Sequence, residues 1–351
     1  MARDDAEAWG APRRPFPEGG LVAQSQMAYQ TAPLVTHEIR PGLFVFSGAG
    51  GTVTAVMGRE AAAVIDTGYG PRVGEIRQAI AAVLPRVPVW LINTHWHFDH
   101  SDGNAAFAAA GTIIVAHVNC RARMSQDQYV ASLKWAIPAA PSAAWPKLTC
   151  EDPLTIDLGS ESLRLLPQKP SHTDGDIAVH LPTANALVMG DLLTTNGYPV
   201  IDESSGGSLR GMIEAIQGLL ALIDDDTVVV PGHGEVADRA GVLEFLDMLQ
   251  ASEGRIRALV ARELPAADII AAAPTAEFEA RWGRGYVTGP DFVRMVLAGM
   301  GHANTPAAEQ RPVEGQDDLA YCRINAAMRL SAPRFAAAPP PAWTGQTSRP
   351  R

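Results

Sequence analysis

The sequence predicts an α/β fold, and three observations carry that prediction. From about residue 40 to 235, short apolar runs alternate with segments whose apolar residues recur at helical spacing. Four of the apolar runs are followed within three residues by a His or Asp side chain. Hydrophobic residues make up 47% of the 351 and charged residues 19%, enough to bury one large core and too apolar for wholesale disorder.

Taken in order, Leu43–Ser47 and Thr52–Met57 read as paired strands around the turn Gly48-Ala49-Gly50-Gly51. Ala61–Ile65 is an uninterrupted apolar run that stops at Asp66, and 74–84 carries Ile76, Ile80, Val83 and Leu84 at helical spacing. Val87–Asn93 is the next expected strand, followed by a short helix over 103–110 and a strand over Thr112–Ala116. Leu154–Leu158 with Leu163–Leu166 resembles a hairpin, and Ile177–Leu181 with Ala186–Met189 makes another strand pair. The clearest helix is Leu209–Ile223, with Leu209, Met212, Ile213, Ile216, Leu219, Leu220 and Ile223 in period and Ser208 as its N-cap. Thr227–Val230 is one more buried strand, and helical periodicity returns at 242–262, 266–273 and 291–300. Residues 301–351 are broken by Pro306, Pro312, Pro333, Pro339, Pro340, Pro341 and Pro350, so an irregular tail is expected there, with one helix near Leu319–Leu330.

Charge and cysteine content narrow the function. Lys plus Arg number 28 against 38 Asp plus Glu, a net −10, which disfavours nucleic acid and anionic membrane surfaces as partners and leaves a small-molecule substrate. Cys120, Cys150 and Cys322 are too far apart for a disulfide framework. No apolar run is long enough to span a bilayer. Arg13-Arg14 is followed by Pro17-Glu18-Gly19-Gly20 rather than an apolar stretch, so residues 1–37 read as an N-terminal arm and a cytoplasmic location is expected.

The polar residues at the strand ends are of one chemical kind. Ala61–Ile65 leads to Asp66; Val87–Asn93 leads to Thr94-His95-Trp96-His97-Phe98-Asp99-His100; Ala186–Met189 leads to Asp191; Thr227–Val230 leads to His233; and His172 precedes a fifth strand. Ligands of layered α/β folds gather at one rim of a sheet, so imidazoles and carboxylates repeated there point to a shared metal site. His95 and His97 alternate and can face one ion, while Asp99 and His100 fall beyond the bend and can serve a second. This donor set suits zinc and admits iron or manganese.

The segment Thr94 to Asn104 resembles the HxHxDH signature of the metallo-β-lactamase superfamily, with Asp66, His172, Asp191 and His233 following the family's order. The resemblance covers about residues 38–298 and implies an αββα sandwich, two mixed sheets with helices outside, as a catalytic domain over 38–300. It further implies His95, His97 and His172 on one zinc ion, Asp99, His100 and His233 on another, Asp191 bridging both, and Asp66 orienting a ligand histidine. The implied activity is hydrolysis by metal-bound hydroxide of an ester, lactone, thioester or amide, with Asp99 moving the proton and residual positive charge favouring an anionic substrate. Two alternatives share the pattern: a β-lactamase, against which Asp191 argues because zinc β-lactamases carry Cys or Ser there, and a mononuclear iron dioxygenase of persulfides, which needs only His95, His97, His172 and Asp191. A binding module without catalysis is disfavoured by the intact ligand set.

Other residues read more plainly. Asn196 and Tyr198 are candidate oxyanion donors, although turn chemistry accounts for them equally. Trp96 and Phe98 read as packing residues; Arg121, Arg123, Lys134 and Trp135 as solvated surface; His37, His117, His180 and His302 as structural. Cys120 is too isolated to read as a nucleophile. Asp102 stands where many relatives have glycine, and an added carboxylate near the second ion is expected to tune its affinity. Substrate selectivity is expected from about residues 118–150 and 192–207.

Overall fold

The computed structural model describes residues 21–130 and 135–302. Lys134, the expected helix near 319–330 and the rest of the tail from 303 lie outside the described residues.

The first half runs α1 (Leu21–Thr31), β1 (Val35–Arg40), β2 (Leu43–Ser47), β3 (Val53–Met57), β4 (Ala62–Ile65), α2 (Val73–Val83), β5 (Trp90–Ile92), α3 (Phe98–Ser101), α4 (Asn104–Ala108) and β6 (Ile113–His117). It continues through α5 (Val118–Met124), the hairpin β7 (Gln128–Val130) with β8 (Trp135–Ile137), and β9 (Leu148–Cys150). The second half holds β10 (Leu154–Asp157), β11 (Ser162–Pro167), β12 (Ile177–Leu181), β13 (Ala186–Thr194), α6 (Leu209–Leu219), β14 (Val228–His233), α7 (Arg239–Val260), α8 (Ala266–Ala271), α9 (Glu279–Trp282) and α10 (Gly289–Gly299).

Both sheets are mixed. The seven-stranded sheet has the order β1-β2-β3-β4-β5-β6-β9, antiparallel as far as β4 and parallel beyond it. The five-stranded sheet, β10-β11-β12-β13-β14, is antiparallel except for its last pair. Strand β4 shows why these segments read as continuous apolar runs. Ala63 and Ile65 join Leu43, Val179 and Val188 in the core between the sheets, whereas Ala62 and Val64 pack outward against Ile76 and Ile80 of α2. The outer face of the second sheet is covered by α6, α7, α8 and α10, through residues such as Met212, Ile216, Phe245, Ile269 and Phe292. The result is the expected helix–sheet–sheet–helix sandwich. Each fully buried Leu, Ile or Phe contributes roughly 1.5–3 kcal/mol of transfer free energy.

Several expected boundaries shift for local reasons. Pro88 has no N–H, and Val87 and Val89 are exposed, so β5 shrinks to Trp90–Ile92. The helix expected to Ile223 ends as α at Leu219 and tightens into a 3₁₀ turn over Leu220–Leu222. Residues 21–31 of the expected arm form a helix, and the expected boundary at 37/38 falls inside β1. Among the described residues no helix is long and apolar enough to cross a membrane.

Ser208 is the N-cap of α6, its Oγ accepting the Gly211 N–H at 3.0 Å. Ser208→Ala is expected to lower unfolding stability by about 1 kcal/mol, read as a reduced urea midpoint at unchanged m-value.

Candidate metal centre

Two neighbouring groups of donors meet where the two sheets come together. His95, His97, His172 and Asp191 form one group and Asp99, His100 and His233 the other, with one donor atom per residue lying within 4.8 Å of the others in its group. The connection that follows β5 of the first sheet supplies His95 and His97, and α3 supplies Asp99 and His100. The second sheet supplies His172 before β12, Asp191 within β13 and His233 at the end of β14. All seven expected ligand residues are therefore brought together.

Local geometry aims each side chain. His97 is extended, at φ −61° and ψ 151°, and α3 begins at the next residue, so His95 and His97 share one side while Asp99 and His100 turn to the other. Strand β13 does not stop at Met189 but continues to Thr194, with its register broken at Gly190, whose φ is +53°. That irregularity turns Asp191 into the site. A Cβ on Gly232 would overlap Asp191 Oδ1, and one on Gly51 would overlap the His100 ring, so backbone presses directly on both side chains.

Asp191 lies between the groups. Its Oδ2 is 3.5 Å from His172 Nε2 and 4.0 Å from His95 Nε2, while its Oδ1 is 3.1 Å from His100 Nε2 and 3.5 Å from His233 Nε2. Within the groups, His97 Nδ1 faces His172 Nε2 at 2.9 Å, and His233 Nε2 is 3.3 Å from both Asp99 Oδ2 and His100 Nε2.

Four of the five rings are fixed from behind. His95 Nδ1 meets Thr94 Oγ1 at 3.0 Å, His97 Nε2 meets Asp202 Oδ2 at 3.0 Å, His172 Nδ1 meets the Val200 carbonyl at 2.7 Å, and His100 Nδ1 meets Asp66 Oδ2 at 2.9 Å. These partners select the ring nitrogen that faces inward. Asp66 thus takes the orienting position expected of it, and it also accepts the Thr94 N–H at 2.8 Å and the Thr94 hydroxyl at 2.7 Å. Its φ of +60° is uncommon for a residue other than glycine. Asp202 and Asp176 are sequence misses. Asp176 accepts the backbone N–H groups of His172 and Thr173 at 2.8 and 2.9 Å and the Ser171 hydroxyl at 2.7 Å, which fixes the loop that carries His172. The only local signal for Asp202 is its spacing to Ser205, which reads as turn capping.

The donor set suits a divalent cation. His95 Nε2 is buried with no hydrogen-bond partner, a costly condition for an imidazole nitrogen unless an ion takes its lone pair. Burial, aided by the charge of His100, pushes His95 well below its ordinary pKa, and burial likewise lowers His172; both rings therefore present free lone pairs at neutral pH. In the other group burial favours neutral forms but loses to charge pairing. Asp191 and Asp99 lift His233 to about 9, and His100 with His233 hold Asp99 at about 2. Imidazole nitrogens with carboxylate oxygens, and no thiolate, are borderline ligands.

Above the donors lies a chamber of about 320 Å³, floored by His97, Asp99, Asp191 and His233. Asn196 lines it, with Oδ1 accepting from the Thr194 hydroxyl at 2.8 Å. Tyr198 departs from expectation. Its hydroxyl points into the C-terminal helices, between the Thr275 carbonyl at 3.2 Å and Glu279 Oε1 at 3.0 Å, so it is not an oxyanion donor. Trp135 is not solvated surface but 4% exposed, edge-on to Phe98 at 4.5 Å, and Phe98 lines the chamber as well as packing. Arg123 is paired with Asp174 at 2.7 Å, and Arg121 lies over Trp145. Asp102 packs beside Gly70 and joins neither ligand group. His117 caps α5, and burial raises the Cys120 thiol well above its usual range, which leaves it inert.

Residues 48–233 match a family model described as the metallo-beta-lactamase superfamily, a span that contains all seven donors, Asp66 and Asp202. The acyl-coenzyme A thioesterase MBLAC2 of Bos taurus is 27% identical over 216 residues, covering 54% of this chain and 75% of that protein. A hydroxyacylglutathione hydrolase of Anaeromyxobacter dehalogenans is 29% identical over 160 residues, covering 45% of this chain and 53% of that protein. Among solved structures, the stereoselective inverting sec-alkylsulfatase Pisa1 from Pseudomonas sp. superposes with a TM-score of 0.60 at 16% identity, covering 88% of this chain. The chain spans only 58% of that larger protein, and the likeness concerns the fold alone.

Asp202→Ala removes the carboxylate behind His97. It is expected to weaken divalent-metal binding by about 10–100-fold in competition with a chromophoric chelator, with the far-UV circular dichroism unchanged.

Proposed function

Because the chain belongs to the metallo-β-lactamase superfamily and is a metal-dependent hydrolase, we propose that it uses two zinc ions to cleave a carbonyl-type bond (ester, thioester, lactone or amide) in a small molecule. The observation that most supports two ions is Asp191, with Oδ2 turned to one group and Oδ1 to the other. His95, His97 and His172 would hold the first ion, Asp99, His100 and His233 the second, with Asp191 shared. Ions bound there would supply Lewis acidity, which can bring the pKa of a coordinated water from 15.7 to about 7.

The chain's own residues would handle the proton. A water oxygen adds to the acyl carbon, and its proton passes to the Asp99 carboxylate on the chamber floor. As the acyl–oxygen, acyl–sulfur or acyl–nitrogen bond breaks, the leaving group takes that proton from Asp99, and the products are a carboxylic acid and an alcohol, thiol or amine. Asp66 and Asp202 hold His100 and His97 in place throughout, so the donors need not reorganise.

The rival readings have less support. A mononuclear iron dioxygenase needs only the first group and leaves the complete second group without a purpose. A β-lactamase is disfavoured by an aspartate at position 191. Thioesters and esters rank first among the bonds, since one relative is an acyl-coenzyme A thioesterase by name.

Purified protein is expected to carry two zinc per chain by elemental analysis, and chelation should abolish hydrolysis of aryl esters or thioesters. Asp99→Ala should lower kcat by about 10²–10⁴-fold with the fold intact. One iron per chain together with oxygen consumption on a persulfide would instead identify the oxidase reading.

A further inference from the structure

The walls of the chamber differ in character from its floor. Helix α1 turns Val22, Ser25, Ala28 and Tyr29 toward it, a single stripe at helical spacing that Ala32 continues just past its end. Nothing on α1 is charged, and the Ser25 hydroxyl is already engaged by the Val22 carbonyl at 2.8 Å, so this wall presents carbon. Phe98, Trp135 and Tyr286 continue the wall, the first two packing in one cluster with Val22 and Tyr29. Among the described residues that line the chamber there is no lysine or arginine, so an anionic group away from the floor would find no partner there.

The wall is fixed rather than merely adjacent. Arg72 is buried and donates from Nη1 to the carbonyls of Tyr29 at 2.6 Å and Ala32 at 2.8 Å, closing the C-terminal end of α1. The Tyr29 ring stacks on His233 at 6.2 Å and meets Tyr286 edge-on at 6.3 Å. Tyr29 thus joins wall to floor, and the small side chains of Ser25 and Ala28 leave the space beside it open.

We infer that the site takes acyl compounds whose acyl group is an apolar chain, seated against α1 beside Tyr29, Phe98 and Trp135, in the space that the small side chains of Ser25 and Ala28 leave open. This rests on the hydrolytic reading above and adds the class of acyl group. It also revises the expected bias toward anionic substrates. A volume of about 320 Å³ lies at the small end of ligand pockets, about 300–1,000 Å³, which favours short and medium chains over long ones. Both α1 and Tyr286 lie outside residues 48–233, whereas Phe98 and Trp135 lie within them, so the wall is built from segments inside and beyond the matched span.

The test uses the zinc-loaded full chain. Turnover is measured on aryl thioesters from acetyl to decanoyl and on succinyl and glutaryl thioesters, and binding of acetate and octanoate is followed by calorimetry. For each added methylene, kcat/KM should rise about threefold to fourfold until the chamber is full, and the dicarboxylic substrates should fall below butyryl. Octanoate should bind more tightly than acetate. Ala28→Phe should lower the octanoyl-to-acetyl ratio of kcat/KM at least tenfold and weaken octanoate relative to acetate, with zinc content and Tm retained; Ser25→Phe serves as the second variant should the first fail to fold. Turnover that is indifferent to chain length, or highest on the dicarboxylic substrates, overturns the inference and leaves the hydrolase reading standing. Absence of all turnover by the zinc-loaded protein overturns the hydrolase reading instead, and the octanoate-to-acetate binding ratio then decides the chamber by itself.

Discussion

Asp191 stands between two clusters of imidazoles with one oxygen turned to each, and much of the surrounding architecture keeps it there. Strand β13 breaks register at Gly190 to deliver it, Gly232 brings the backbone of β14 against its oxygen, and Thr94 packs beneath Gly190. A largely buried carboxylate among four rings is tolerable only because those rings, and cations that the donors can hold, offset its desolvation. The sandwich supplies the rigidity. Strands buried on both faces end at the same rim, so the residues following them have little freedom to drift apart.

The fold and the donors were legible in the sequence for one shared reason. Buried strands produce uninterrupted apolar runs, and a His or Asp directly after such a run is conspicuous, as at Ile65-Asp66 and at His233 after Val228–Val230. What sequence could not display were relations across distance. Asp202 lies 105 residues from His97 and looks locally like a turn cap. Tyr198 sits on the loop expected to face the site, yet a hydrogen bond to Glu279, 81 residues on, draws its hydroxyl into the helical layer. Trp135 reads as surface until Phe98 is known to lie against it. Helix α1 shows no charge pattern and little amphipathic contrast, so nothing in its sequence singles it out as a wall of the chamber.

The metal donors and part of the chamber wall come from different parts of the chain. Every donor, and the carboxylates behind His97 and His100, falls within residues 48–233, whereas α1 and the segment around Tyr286 fall outside.

The split of donors between the sheets has a mechanical consequence. Four come from the first sheet and three from the second, and Asp191 of the second sheet reaches donors of the first in both groups. An ion held by either group therefore acts as a rivet through the middle of the sandwich. The two layers could not slide or peel apart without ejecting it, so cation loading would fasten the halves into one cooperative unit, and its binding free energy would add directly to resistance against unfolding.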